Sequence, residues 1–218
     1  MASAKETILF RIRRATRDVP QTERSEDVPV ERGYRKEDES SRDEIVERFA
    51  ERAAEYEATV RRVKKEELVA AIKEALERRG VERLVVPPRL PNAWIPEGIE
   101  TLRDAARPRL SKEELDASDG VLTGCAVAIA QTGTIVLDAG AAQGRRALTL
   151  LPDYHLCVVR EDQIVGLVPE AIARLEETVR EKGRAVTFIS GPSATSDIEL
   201  NRVEGVHGPR TLEVLIAG

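Results

Sequence analysis

The chain has 218 residues with a formal net charge of −5, from 34 basic and 39 acidic side chains. That length buries a sizeable core without disulfide staples, and the acidic balance excludes a nucleic-acid footprint unless charge is strongly segregated. It is not: residues 1–80 carry 19 basic and 19 acidic side chains, and the remaining 138 carry 15 and 20. The core is therefore expected in the C-terminal two-thirds, and aromatics at 3% leave few stacking platforms. Cys125 and Cys157, both in apolar surroundings, read as buried thiols of a reducing compartment. No apolar run approaches the roughly 20 residues of a membrane span, and the N-terminus lacks a signal-peptide core, so a cytoplasmic protein is expected.

Residues 11–42 are charge-dense, hold Pro20, Pro29 and Gly33, and show almost no apolar periodicity. Residues 1–41 are therefore expected to form a mobile charged arm, and 42–218 a single α/β domain. Behind Ser40 and Ser41, the spacing of Ile45, Phe49, Ala53 and Tyr56 predicts an amphipathic helix ending near Ala58. Thr59–Val63 then reads as a strand, Lys65–Arg79 as a helix stopped by Gly80, and Leu84–Val86 as a strand, which makes a βαβ unit with parallel strands. Pro87–Pro108 reads as irregular connection. Ser111 and Glu114 form a capping-box pattern over a short helix.

Val121–Ala130 and Ile135–Leu137 read as two strands joined by the turn Gln131-Thr132-Gly133-Thr134. Tyr154–Val159 is a strand, Pro169–Lys182 a helix with proline in its first turn, and Ala185–Ile189 and Leu212–Ala217 are strands. Alternating strands and helices predict an open, mostly parallel sheet with helices on both faces. Ligands of such sheets bind beyond the carboxyl ends of the strands.

Three segments could carry chemistry. Ser190-Gly191-Pro192-Ser193-Ala194-Thr195-Ser196-Asp197 follows a strand with hydroxyls and backbone N–H groups that suit phosphate or carboxylate, or else merely caps a helix. Thr132-Gly133-Thr134 offers close backbone approach and two hydroxyls, or is a plain hairpin turn. Gly205-Val206-His207-Gly208-Pro209 sets a histidine, the side chain that titrates nearest neutrality, just before the closing strand, where it either exchanges protons or satisfies nearby carbonyls. The loop Asp138–Arg146 is a solvated surface loop or an anion contact through Arg145 and Arg146. His155 reads as a packed or loop histidine.

In order, the runs A-I-A-Q-T-G-T-I-V-L, P-D-Y-H-L, S-G-P-S-A-T-S-D-I-E and G-V-H-G-P resemble the LUD-domain family, over about Ile45 to the C-terminus. The resemblance implies a NagB/RpiA/CoA-transferase-like fold and a role in oxidising L-lactate to pyruvate with iron–sulfur partner proteins. It implies no cofactor in this chain, since two cysteines cannot supply the four thiolates of a cubane cluster, and it implies a small carboxylate ligand. Carried over residue by residue, Thr132, Gly133, Thr134, Ser190, Gly191, Ser193, Thr195 and Gly208 bind the ligand. His207 is the proton-exchanging group, with Asp197 or Glu199 orienting it, and all three loops are expected to meet in one pocket at the carboxyl edge of the sheet. The chain then serves as a ligand-binding or organising subunit; the alternative is a stand-alone CoA-transferase-like enzyme acting on a small carboxylated or phosphorylated metabolite.

Overall fold

The computed structural model describes residues 3–20, 22, 24, 30–31, 33–105, 107–181, 183–195, 203–204 and 208–218. The chain divides into two compact units, 1–35 and 36–218. In the first, helix α1 (Ala4–Ala15) is closed at its start by a capping box in which Ser3 and Glu6 satisfy each other's backbone N–H groups. The charge-based reading missed this helix.

The second unit begins before the expected Arg42 because Asp38 is tied down. Its carboxylate accepts from the Ser40 N–H at 3.0 Å and from Arg48 at 2.9 Å, and its side chain lies against Gly166 with only 2% exposure. Helix α2 (Arg42–Glu55) follows, with the Ser41–Glu44 capping box and Ile45, Val46, Phe49 and Ala53 buried on one face.

Six parallel strands form the main sheet, in the order β1 (Thr59–Val63), β12 (Thr211–Ala217), β7 (Tyr154–Arg160), β4 (Gly120–Gly124), β2 (Arg83–Val86), β3 (Glu100–Arg103). β1 and β2 are parallel, as the βαβ reading required, but three strands lie between them. Helix α3 (Leu68–Arg78) covers one face, burying Leu68, Ile72 and Leu76 against Leu122, Leu156 and Leu215. Short helix α4 (Lys112–Asp116) carries the Ser111–Glu114 capping box and packs Leu115 with Val85 and Val121.

The other face shows the main departure from expectation. Val121–Ala130 is not one strand: β4 ends at Gly124, and β5 (Val127–Ile129) enters a second, four-stranded sheet. That sheet has the order β8 (Ile164–Val165), β5, β6 (Thr134–Leu137), β9 (Thr187–Ile189). β6 is antiparallel to both β5 and β9. With α2 it covers Cys157, Val159, Val214 and Ile216 of the main sheet, while helix α5 (Val168–Arg180) packs Ala171 and Leu175 on its outer side. The layers therefore run α3, main sheet, α2 with the second sheet, α5. No helix among the described residues is long and apolar enough to cross a membrane.

Asp38 gives this unit an acid-sensitive anchor. Hydrogen bonding from the Ser40 N–H, aided by the Ser40 side chain and Arg48, holds its carboxyl below the usual aspartate value against the opposing effect of burial. A depressed folded-state pKa adds stability above the unfolded value of about 3.9, and that stability is lost as pH falls through the folded value. Urea midpoints measured from about pH 5 to 2.5 should fall less steeply for Asp38→Asn than for the unaltered chain. Equal slopes would remove Asp38 from the account.

Candidate functional site

The hydroxyl-bearing loops do come together, but at the other end of the sheet. After β5 the chain makes a tight turn at Ala130–Thr132, and Gly133 adopts φ +59 to reach β6. A Cβ there would lie 2.5 Å from the Ala53 nitrogen and the Arg52 carbonyl carbon, so the turn sits on the backbone of α2. β6 pairs with β9, which brings Thr134 beside the residue after β9: Thr134 Oγ1 lies 2.7 Å from Ser190 Oγ and 2.7 Å from Thr132 Oγ1. Gly191, at φ +79, lies against the carbonyl of Tyr56, just past α2 and three residues before β1. The Ser193 N–H donates to the Pro209 carbonyl at 2.8 Å, and a Cβ added at Gly208 would come within 3.4 Å of the Ser193 side chain. Pro209 precedes β12, so this line of residues runs along the amino ends of β1 and β12 and not their carboxyl ends.

The reversal has a topological cause. The carboxyl-edge rule holds for loops that leave strands of the parallel sheet. Here the Thr132 turn and the Ser190 loop belong to the antiparallel part of the second sheet, and Gly208 precedes its strand.

The geometry changes the expected roles. Thr134 is buried, so it links Thr132 and Ser190 and has little surface of its own to offer a ligand. Three hydroxyls in a row can pass their protons in one direction and present a donor at one end, at the half-buried Thr132 or the exposed Ser190. The Ser193 N–H is already committed to Pro209, so it is not an amide donor for an anion cradle. The backbone of Thr195 pairs with Val203 in a short antiparallel ribbon, β10 (Ala194–Thr195) with β11 (Val203–Glu204), where the sequence pattern had suggested a helix start. His207, Asp197 and Glu199 lie outside the described residues, as does Ser196. The nearby end of α2 presents carbonyls, the negative pole of the helix, which suits a proton donor near Thr132 better than a carboxylate.

His155 is a packed histidine: it is 1% exposed, and its Nε2 lies 2.7 Å from the Thr123 hydroxyl on the neighbouring strand. Cys157 shares its face of β7 and lies with Cys125 in one core cluster. The Cys125 thiol and the adjoining His155 favour the charged form of Cys157, while the bond to Cys157 and burial push Cys125 up. Arg145 and Arg146 are structural. Arg145 grips Asp104 through two hydrogen bonds at 2.9 and 3.1 Å, and Arg146 bonds Thr149 in its own turn. Gln131 likewise serves the fold, its side chain accepting from the Val168 N–H at the start of α5.

A polar concavity of about 400 Å³ lies between the carboxyl ends of β4 and β7 and helix α5; the 138–146 loop lines it through Asp138 and Gln143 rather than Arg145 or Arg146, and sequence reasoning passed over Arg160, Arg174 and Arg184 in its wall. No motif marks it, because its residues come from a strand end, a helix face and a loop.

Among known proteins, the LUD domain family matches residues 46–217. Lactate utilization protein C of Deinococcus radiodurans is 54% identical over 178 residues, 82% of each chain. Lactate utilization protein C of Halalkalibacterium halodurans is 29% identical over 181 residues, 78% of each. A crystal structure of a DUF162 family protein from Deinococcus radiodurans superposes with a TM-score of 0.72 at 47% identity, covering 82% of this chain and 99% of that one. The main sheet, the hydroxyl-bearing loops and the match over residues 46–217 make this chain a member of the LUD domain family.

Proposed function

We propose that the chain is a subunit of a multi-protein system that oxidises L-lactate to pyruvate. In this reading it binds the hydroxy acid or its product at the Thr132–Ser190–Ser193–Gly208 loops. The observation that carries the reading is the 54% identity, over 82% of both chains, to a protein named for lactate utilization. The chemistry of the loops is compatible: Thr132 and Ser190 offer proton donors to a hydroxyl or keto oxygen, and the Ser193–Gly208 stretch is assigned to the carboxylate.

Oxidising a hydroxy acid releases two electrons, and this chain has only Cys125 and Cys157, which are buried together and too few for a four-thiolate cluster. The electron-carrying iron–sulfur centres are therefore assigned to partner proteins, and this chain to holding the organic ligand or organising the assembly. His207 is assigned the proton exchange, with Asp197 or Glu199 orienting it.

Affinity purification of the tagged chain from its native cells, grown on L-lactate, tests this. Recovery of iron–sulfur proteins in stoichiometric amount is expected, with loss of growth on L-lactate when the gene is deleted. Normal growth of the deletion strain would overturn the reading. Turnover of a carboxylated or phosphorylated metabolite by the isolated chain would favour the stand-alone enzyme.

A further inference from the structure

We infer that the concavity at the carboxyl ends of β4 and β7 is a second ligand site, built for a doubly charged oxyanion of the phosphomonoester or dicarboxylate class. The open parallel sheet leaves its carboxyl edge as the usual place for a ligand, and the hydroxyl-bearing loops do not occupy that edge. What lies there is a cavity of about 400 Å³, within the range of small-molecule sites.

Its charge runs against that of the whole molecule. The chain carries −5, yet this cavity is lined by Arg160, Arg174 and Arg184 against a single lining carboxylate, Asp138. Two of the three guanidinium groups have carboxylate company: Arg160 is held by Asp162 at 2.9 and 3.2 Å, and Arg184 lies 3.7 Å from Asp138. Arg174 meets only the Asp162 carbonyl, at 3.0 Å, so among the described residues no carboxylate neutralises it. The contact with Asp162 also fixes its position beside Arg160.

The rest of the wall is ordered in advance. Asp138 is oriented by the Gly140 N–H at 2.9 Å and by the Thr178 hydroxyl at 3.3 Å, and the Gln143 carbonyl oxygen is taken by the Asp138 and Gly140 N–H groups. The Gln143 amide nitrogen is therefore the end of that buried side chain left to donate. Guanidinium groups with an amide donor and a partly apolar floor recognise oxyanions through charge and hydrogen bonds. The inference does not depend on the lactate reading, since none of these residues belongs to the amino-edge loops.

Calorimetric titration of the full chain at low salt with inorganic phosphate and, separately, with malonate tests it. Saturable one-to-one binding of at least one probe is expected, weakened about tenfold or more by Arg174→Gln and by Arg184→Gln and changed less than twofold by Ser193→Ala. Phosphate alone would identify the phosphomonoester class, and malonate alone the dicarboxylate class. No saturable binding of either probe, binding indifferent to both arginine substitutions, or binding lost with Ser193→Ala would each overturn the proposal.

Discussion

Arg78→Met should destabilise the folded chain by on the order of 3 kcal/mol. Glu213 lies on β12, the second strand of the main sheet, with its side chain 1% exposed, and its two oxygens accept from Arg78 at 2.6 Å and from the Tyr154 hydroxyl at 2.9 Å. Removing the guanidinium leaves a buried carboxylate with one neutral donor. That is the costly half of a buried pair to lose. The cost sits toward the low end of the usual range because Arg78 is about half exposed and Tyr154 still donates. Removing both charges by Arg78→Met with Glu213→Leu should recover part of the loss, since the double substitution strands no ion, although it still orphans the Tyr154 hydroxyl. Urea unfolding of the two variants beside the unaltered chain reads this out, and a single Arg78→Met that unfolds within 0.5 kcal/mol of the unaltered chain would show the pair to be dispensable. Tyr154 adds a dependence at the alkaline end. Burial, then the neighbouring carboxylate, pushes its phenol far above the usual value, so its contribution is present below about pH 10 and is lost above it as the unfolded chain ionises first.

Gly133→Ala should cost about 2 to 4 kcal/mol, combining left-handed strain with overpacking. At φ +59 the new methyl group would lie 2.5 Å from the α2 backbone at Arg52 and Ala53, atoms that cannot move aside as a side chain could. Either the turn lifts off α2 or the helix end unwinds, and both separate Thr134 from Ser190. Gly80→Ala is the matched control, because Gly80 has φ +64 with nothing within 4 Å of the added carbon, leaving only the conformational strain of about 1 kcal/mol. Thermal unfolding of the pair should show the larger loss at Gly133, and equal losses would remove the contact with α2 as the cause.

Much of the fold was legible wherever a local rule has a single physical cause. Ser111 with Glu114 gave one helix start because an N-cap hydroxyl and an N3 carboxylate answer specific orphan N–H groups, and the spacing of Ile45, Phe49 and Ala53 behind Ser41 gave another. The apolar runs at 154–159 and 212–217 gave interior parallel strands because both faces are covered. The same capping rule marked α1 at Ser3 and Glu6, but a count of charges over the region concealed it. β3 and β8 were not legible: four and two residues carry no periodicity, and pairing partners far along the chain define them. The break between β4 and β5 at Cys125–Ala126 has no turn residue, and only the second sheet explains it.

At the site, the sequence identified which loops carry hydroxyls, and the structure connects Thr132, Thr134 and Ser190 as well as Ser193 and Gly208. It could not tell that these loops meet at the amino edge, because that depends on β6 and β9 forming a separate antiparallel sheet. Nor could it show Arg160, Arg174 and Arg184 as neighbours, since no two of them share an element.

A crystal structure of the chain grown with saturating L-lactate or pyruvate tests the central claim most directly. The account predicts the ligand at the amino ends of β1 and β12, with its carboxylate at about 2.6–3.2 Å from the Ser193 hydroxyl or the Gly208 backbone. Its hydroxyl or keto oxygen should face Thr132 or Ser190, and Ser193→Ala crystals should show reduced occupancy. A hydroxy acid seated only between Arg174 and Arg184 at the carboxyl edge, or none bound at all, would contradict it.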